Sequence, residues 1–539
     1  MRITFRAAIG MLLLALAAQA GAAGEAPAPG DLVARGRALY RAGRRADGSP
    51  LVAGRTGGLV LAGAEAACVA CHRRSGMGGA EGRSYIPPVT AAALFTPMPA
   101  GKGASAIGDG RPAYAEASLA RALREGVDAS GRHLDYVMPR YRLDDQEVRA
   151  LHAYLRTLPQ ALAADAGAQT DTVHFATVIA PGVPAQRSEA MLGVLQACFD
   201  EHNAGPQPER GRRKLAQGME QRAGRPWQLH VWRLQGPQEG WEAQLARHAS
   251  EQPVFALVGG VGGAQWAPVH GFCEGAGVPC LFPHLEAAPA ATDGFYPIYL
   301  GKGALLEAAL VARYLAQQPG GAVHVTQVLR EHDASAKAAA AALRKALATA
   351  GATMTEIRIP AGAAVRPDTL AKVPAQGTLV LWLRPDDLQR LGEGRPAGAQ
   401  VFVSATLAGR DEVPLPPAWK ERALMAYPYE LPQQRTLRTL PMRQWLAQRG
   451  LPLTDERVQG DAYVACKALR TAMLEAEDHF GRDYFVERVE TDMERSNATG
   501  LYPSLALGIG QRFAAKTGYL VRFEGERGGL AAVGERIAP

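Results

Sequence analysis

Cys68-Val69-Ala70-Cys71-His72 places two thiols three positions apart on one short turn, with an imidazole directly after the second. On a helical turn both sulfurs face the same side. Each can form a thioether to one vinyl group of a porphyrin, and the histidine then lies under the metal. The spacing therefore implies covalent attachment of a c-type haem, with His72 as proximal ligand. Half of a zinc site would need a second ligand pair at suitable spacing, and the next cysteine is Cys198. A redox dithiol would need a βαβ context, which this region lacks.

A second group of residues bears on the same chemistry. The stretch from Gly126 runs through His133, Met138-Pro139-Arg140-Tyr141 and on to Leu158. Together with the CxxCH motif it resembles the class I cytochrome c family, whose Met-Pro loop precedes a terminal helix. The resemblance implies one haem c and makes Met138 its distal iron ligand. A thioether is a soft donor, and His/Met ligation raises the reduction potential. Met98 and His133 are the rival ligands. Met77 is too close to the anchoring turn to reach the opposite face.

These residues need elements to hold them. Asp144 and Glu147 have the spacing of a capping box. Val148, Leu151, Leu155 and Leu158 follow at helical period. Asp31 is placed to cap an earlier helix carrying Leu32, Leu39 and Tyr40, ended near Gly43. The resemblance implies that this first helix crosses the last one, with Gly36 and Tyr40 against Leu151 and Tyr154. Some two dozen residues, Arg44 to Ala67, separate the first helix from the haem motif. This Gly-rich stretch predicts an exposed loop or small hairpin near the haem. The whole of 24–160 is expected to be an all-α cytochrome domain.

Residues 161–170 are small and polar and read as a linker. From Val173 onward, strand-like runs alternate with helical ones. The strands are Val173–Ile179, Val254–Gly259, Val278–Phe282, Val323–Leu329, Thr378–Leu383 and Val401–Ser404. The helices are Glu189–Asn203, Leu305–Leu315, Ala334–Ala350 and Asp461–Glu477. Such alternation predicts parallel sheets covered by helices, and some 370 residues exceed one core. Met191–Asn203, Val254–Gly260, Phe272–Cys280 and Asp461–Ala465 resemble type I periplasmic binding proteins, the branched-chain amino-acid receptor group. The resemblance implies a two-lobed α/β domain over 171–539 that takes a small molecule in its cleft. Gln265, Trp266, His284 and Tyr299 are the candidate cleft residues. The turn Val261–Trp266 lacks the hydroxyls with which the amino-acid receptors hold a carboxylate. Cys273 and Cys280 flank a short loop and are the preferred disulfide, which leaves Cys198 and Cys466 as a second pair. No Ser-His-Asp elbow, phosphate loop or HExxH motif occurs.

Residues 1–23 have the charged, apolar and small-residue pattern of a secretory signal peptide: Arg2 and Arg6, the run Ala7–Ala18, then Ala20 to Ala23. Beyond it no apolar run is long enough to span a bilayer, so a periplasmic location is expected. The 539 residues carry a formal charge of +7. Residues 24–160 hold 18 Lys and Arg against 13 Asp and Glu, whereas 161–539 is balanced. The first domain thus offers a basic face to an acidic redox partner. No basic tract points to nucleic acid. The expectation is an electron carrier, not an enzyme, with a periplasmic dehydrogenase as donor and a terminal oxidase or another cytochrome as acceptor. The alternative is a solute receptor with a sensing or accessory haem.

Overall fold

The computed structural model describes residues 29–81, 84–98, 110–158, 166–169, 171–205, 225–289, 294–318, 324–348, 351–365, 370, 373–374, 377–392, 398–476, 481–495, 500–524 and 529–539. The segment 1–23 and most of the 161–170 stretch lie outside them. The chain divides into two compact units, 1–160 and 161–539.

The first unit is built on α1 (Pro29–Ala42) and α5 (Asp145–Leu155), which pack closely. The terminal helix starts where the sequence predicts. Asp144 accepts from the Glu147 amide at 2.8 Å, and Glu147 accepts from the Asp144 amide at 2.9 Å. Asp31 lies inside the first turn of α1 and pairs with Arg35 instead of capping. Where the helices cross, a Cβ on Gly36 would stand 2.0 Å from the Ala150 carbonyl oxygen. Tyr40 and Tyr154 meet beside it, ring centroids 5.3 Å apart. The short helices α2 (Val69–His72), α3 (Ala91–Phe95) and α4 (Glu116–Glu125) complete the helical set.

The unit is not purely α. The Arg44–Ala67 stretch forms a hairpin of β1 (Val52–Gly54) and β2 (Val60–Ala62), in register Ala53 to Leu61. Gly57 and Gly58 turn it with positive φ, a conformation that suits glycine because it lacks a Cβ. The strand β1 also pairs antiparallel with β5 (Arg140–Tyr141), joining Ala53 to Tyr141 and Gly54 to Arg140. A second small ribbon joins β3 (Gly79–Glu81) to β4 (Ser84–Ile86). Helical periodicity alone does not reveal these short pairings, because each uses only two or three residues.

The second unit carries two seven-stranded sheets. The first holds β6 (Val173–Ile179), β7 (Trp227–Arg233), β8 (Ala256–Val258), β9 (Val261–Gly262), β10 (Cys280–Leu281), β11 (His284–Leu285) and β12 (Pro297–Ile298). Every pairing in it is parallel. All seven residues of β6 are buried, as expected of a strand covered on both faces. The second sheet runs β14 (Thr353–Ile359), β13 (His324–Arg330), β15 (Thr378–Trp382), β16 (Gln400–Ser404), β17 (Ala423–Tyr427), β18 (Tyr519–Glu524) and β19 (Gly529–Ala532). Its first five strands pair in parallel as expected, and the β17–β18 and β18–β19 pairings are antiparallel. The chain passes through the helices Pro432–Arg438, Leu440–Gln448, Glu456–Glu475 and Arg482–Arg495 before it returns to this edge as β18, and β19 then follows as a hairpin.

The helix Glu456–Glu475 lies between β17 and β18 of the second sheet in sequence but packs in the core of the first, against α6 (Ala185–Ala204). Cys198 and Cys466 are joined there, and Cys273 and Cys280 form the short-range disulfide.

All seven tryptophans lie between residues 227 and 445, so their fluorescence reports the second unit alone. Replacement of Gly36 by Ala should cost about 1–3 kcal/mol through overpacking. The urea midpoint read from haem absorption should fall, and the tryptophan midpoint should stay put. An unchanged haem midpoint would show that the crossing yields without cost.

Candidate functional site

Cys68 stands at the N-terminus of the turn Val69–His72, and the His72 amide closes it onto the Cys68 carbonyl at 2.8 Å. Arg73 ends the turn at φ 63°, a left-handed conformation that a non-glycine residue keeps only when its surroundings hold it. Its carbonyl accepts the Tyr40 hydroxyl at 2.8 Å. The imidazole of His72 is buried. Its Nδ1 donates to the Pro87 carbonyl at 3.0 Å, which assigns the proton to Nδ1 and leaves the Nε2 lone pair for a metal. Burial also holds its pKa below the usual imidazole value, favouring the neutral form that a ligand must have. Gly78 makes this geometry possible. A Cβ there would lie 2.2 Å from the Ile86 oxygen and 2.9 Å from that of Pro87.

The Cys68 thiol is pushed up to about 12 by burial. Redox dithiols have depressed thiol pKa values, so this is the environment of a thiol held for covalent use. Among the described residues no three His, Cys, Asp or Glu gather as a metal-binding set.

Met138 is half-buried against the core that contains Tyr40, Tyr141 and Tyr154, the same core on which Cys68 packs. Its loop is braced from several sides. The Val137 amide donates to Asp135 Oδ1 at 2.9 Å, and the Met138 amide donates to the Asp135 carbonyl at 3.1 Å. Arg55, at the turn of the inserted hairpin, donates Nε to the Val137 carbonyl at 2.9 Å. Arg140 reaches the Met138 carbonyl and, at 3.4 Å, that of Leu134. Met98 is 45% exposed and His133 is exposed, so neither rival is held as Met138 is.

In the second unit, charged side chains meet between elements of the two sheets. Glu286, just after β11, accepts from Arg384 at 2.9 and 2.7 Å and from Ser335 at 2.9 Å. Arg384 also donates to Asp333 at 2.7 Å. Burial would raise the Glu286 pKa, but the Arg384 and Ser335 hydrogen bonds and the Arg384 and Arg187 charges bring it down to about 2. Nearby, a cavity is lined by Pro283, Leu285, Leu306, Tyr429, Arg457 and Tyr502, among others. Asp461 borders it, accepting from His284 at 2.6 Å and from Tyr502 at 2.8 Å.

The cytochrome c family model matches residues 60–159, from the strand before the CxxCH turn to the end of the terminal helix. Residues 60–159 form a cytochrome c domain. Membership of that family implies a covalently bound haem, and the donor set fits one: two thiols, a neutral buried imidazole with free Nε2, and a thioether against the same core. No curated protein matches the chain in sequence. Among solved structures, the chain is similar to a fatty acid ABC transporter substrate-binding protein from Thermomonospora curvata, at 15% identity and TM-score 0.48, covering 70% of this chain and 95% of that one. A leucine binding protein from Thermotoga maritima gives 12% and 0.47 over 68% and 99%. A branched-chain amino acid ABC transporter protein from Thermus thermophilus with bound valine gives 12% and 0.48 over 68% and 97%.

The cytochrome domain holds Cys68, Cys71, His72 and Met138 on the elements predicted for them. The four cleft candidates of the second unit are not brought together. Gln265 is exposed. Trp266 is buried beneath the glycine turn, within reach of a Cβ on Gly260 or Gly262. Tyr299 is stacked on Phe513 and bonded to His270 at 2.8 Å. His284 alone, through Asp461, reaches the cavity. Sequence reasoning missed Arg55, Pro87, Arg384, Glu286 and Arg457. Arg55 and Pro87 act through backbone carbonyls, and the other three meet partners or surfaces far away in sequence.

Glu286 has a depressed folded-state pKa. Its stabilisation is therefore complete above about pH 4.5 and is lost as the pH falls through about 2, with a full size of about 3 kcal/mol. Glu286→Gln should lower the tryptophan-reported urea midpoint at pH 7, and this deficit should shrink on going from pH 4.5 towards 2. A deficit independent of pH would mean that the carboxylate charge is not the source.

Proposed function

We propose that the chain carries electrons in the periplasm through one haem in its cytochrome domain. The observation that carries this reading is the His72 Nδ1 bond to Pro87 together with Met138 braced against the same core. Cys68 and Cys71 would anchor the porphyrin, and His72 Nε2 and Met138 Sδ would take the two faces of the iron. When bound, the haem supplies a one-electron couple. With His72 and Met138 both committed to holding the haem iron, no position would be left for a substrate, which supports a carrier's role over an enzyme's. Burial of the ligands limits solvent reorganisation around the metal, and the thioether favours a high potential. The basic excess of residues 24–160 supports an acidic partner, with a dehydrogenase as donor and an oxidase or second cytochrome as acceptor. Oppositely charged faces raise the encounter rate.

The second unit is read as a two-lobed ligand-binding module, one lobe on each sheet, that docks or regulates the carrier. Its support is the repeated passage of the chain between two mainly parallel sheets and the ion network joining them. Among the described residues no helix is long and apolar enough to cross a membrane.

The ferric protein should show the weak near-infrared band of a sulfur-to-iron bond. Met138→Ala should abolish the band and lower the reduction potential. A band that survives in this variant would transfer the distal role to Met98.

A further inference from the structure

The inserted hairpin meets the Met138 loop at two places. Its strand β1 pairs with β5, which starts two residues after Met138 and consists of Arg140 and Tyr141. Arg55, at its turn, donates Nε to the carbonyl of Val137, the residue before Met138, at 2.9 Å. The cytochrome c match begins at Val60, the first residue of β2, so β1, Arg55 and the turn all precede it.

The hairpin is itself fixed. Leu51 and Ala53 are buried in the core of the first unit. The Leu51 amide donates to the Gly43 carbonyl, just past α1, at 2.7 Å, and the Gly63 amide donates to the Leu51 carbonyl at 2.8 Å. Arg45, at the base, pairs with Glu147 of α5 at 3.2 Å and reaches the Arg142 carbonyl. A ribbon anchored on both long helices thus ends at the Met138 loop.

The loop is held by its carbonyls. Those of Leu134 and Met138 accept from Arg140, that of Asp135 takes the Met138 amide, and that of Val137 accepts from Arg55. Arg140 belongs to the exit of the loop itself, and its Cζ lies where a Cβ on Gly126 would come within 2.0 Å. Arg55 is the tie that arrives from a distant segment. Tyr141, beside Arg140, places its hydroxyl against the Cys68 sulfur. The strand β5 therefore lies between the distal ligand and a haem-anchoring cysteine, and β1 holds it from the other side.

The use of such a tie follows from the bond it would protect. A thioether is a soft donor that favours ferrous iron, so the ferric sulfur-to-iron bond is the weaker one. A free loop would lose backbone entropy each time it returned Met138 to the iron. A loop already fixed by its neighbours has lost that freedom on folding. We infer that the inserted hairpin is a clamp that keeps Met138 on ferric iron, with Arg55 as its positioning residue. This rests on Met138 as the distal ligand.

The test uses the haem-loaded full chain in its ferric form and imidazole, which competes with Met138 for the iron and removes the sulfur-to-iron band. Arg55→Leu removes the donor. Arg55→Gln keeps a donor at the same reach along the side chain, without the charge. The imidazole concentration that halves the band should fall about tenfold in Arg55→Leu and about threefold or less in Arg55→Gln. Covalent attachment keeps the haem in both variants, so both can be read. Equal falls in the two would make the charge the source in place of the donated bond, and would overturn the clamp. The urea midpoint read from haem absorption separates holding from general stability. A lower midpoint in Arg55→Leu with unchanged imidazole competition would leave Arg55 a structural residue and overturn the inference. A wild-type protein without the band would remove the Met138 reading and the clamp together. A wild-type band with the same imidazole response in Arg55→Leu would overturn the clamp alone.

Discussion

The first unit turns on one hydrogen bond, from His72 Nδ1 to the Pro87 carbonyl. An imidazole has two nitrogens, and only one can point at a metal. Committing Nδ1 to a carbonyl fixes the tautomer and the ring plane together. The acceptor must then sit close to the CxxCH turn, and it can do so only because Gly78 leaves room. The strained Arg73 backbone and the Tyr40 hydroxyl set where the turn ends. Tyr40 in turn belongs to the helix that Gly36 lets approach the terminal helix. A glycine, a tyrosine and a proline carbonyl thus form a chain of geometric requirements that ends at one lone pair.

Much of this was legible in the sequence, because it is written in local spacing. The CxxCH motif and the Asp144–Glu147 box depend on neighbours within one turn, and the Gly36/Tyr40 crossing followed from the family resemblance. The long α/β strands were legible for a related reason. A strand buried on both faces, such as Val173–Ile179, is an apolar run broken only by His174 and Thr177. The short strands escaped, since two-residue pairings such as Arg140–Tyr141 leave no periodicity to read. The ligand cleft escaped for a different reason. Trp266 and Tyr299 look like recognition residues in sequence, but each is large enough to fill core volume and does so. Arg457 looks like one more solvated charge at a helix start until the Tyr429 ring is brought over it from another segment.

The second unit handles its two exceptional groups in opposite ways. Glu286 is half-buried and fully paired, with two guanidinium contacts and a hydroxyl. Its charge is therefore a source of cohesion between elements of the two sheets. Arg457 is half-buried, its Nε makes no hydrogen bond, and Asp461 and Asp455 offset its charge without touching it.

The link between Cys198 and Cys466 spans 268 residues, and this bears on how the chain matures. During synthesis Cys198 emerges long before its mate, whereas Cys273 and Cys280 emerge almost together. Closure of a seven-residue loop is fast, so the short bridge can form while Cys198 is still waiting. In an oxidising compartment the thiols of Cys68 and Cys71 would be open to the same exchange in that interval. Disulfide exchange would offer Cys198 either of them as an early and wrong mate. Thioether formation at Cys68 and Cys71 removes both from that exchange for good. Prompt cofactor attachment in the first unit is then also a chaperoning event for the second, because it leaves Cys198 with Cys466 as its only unpaired thiol in the chain.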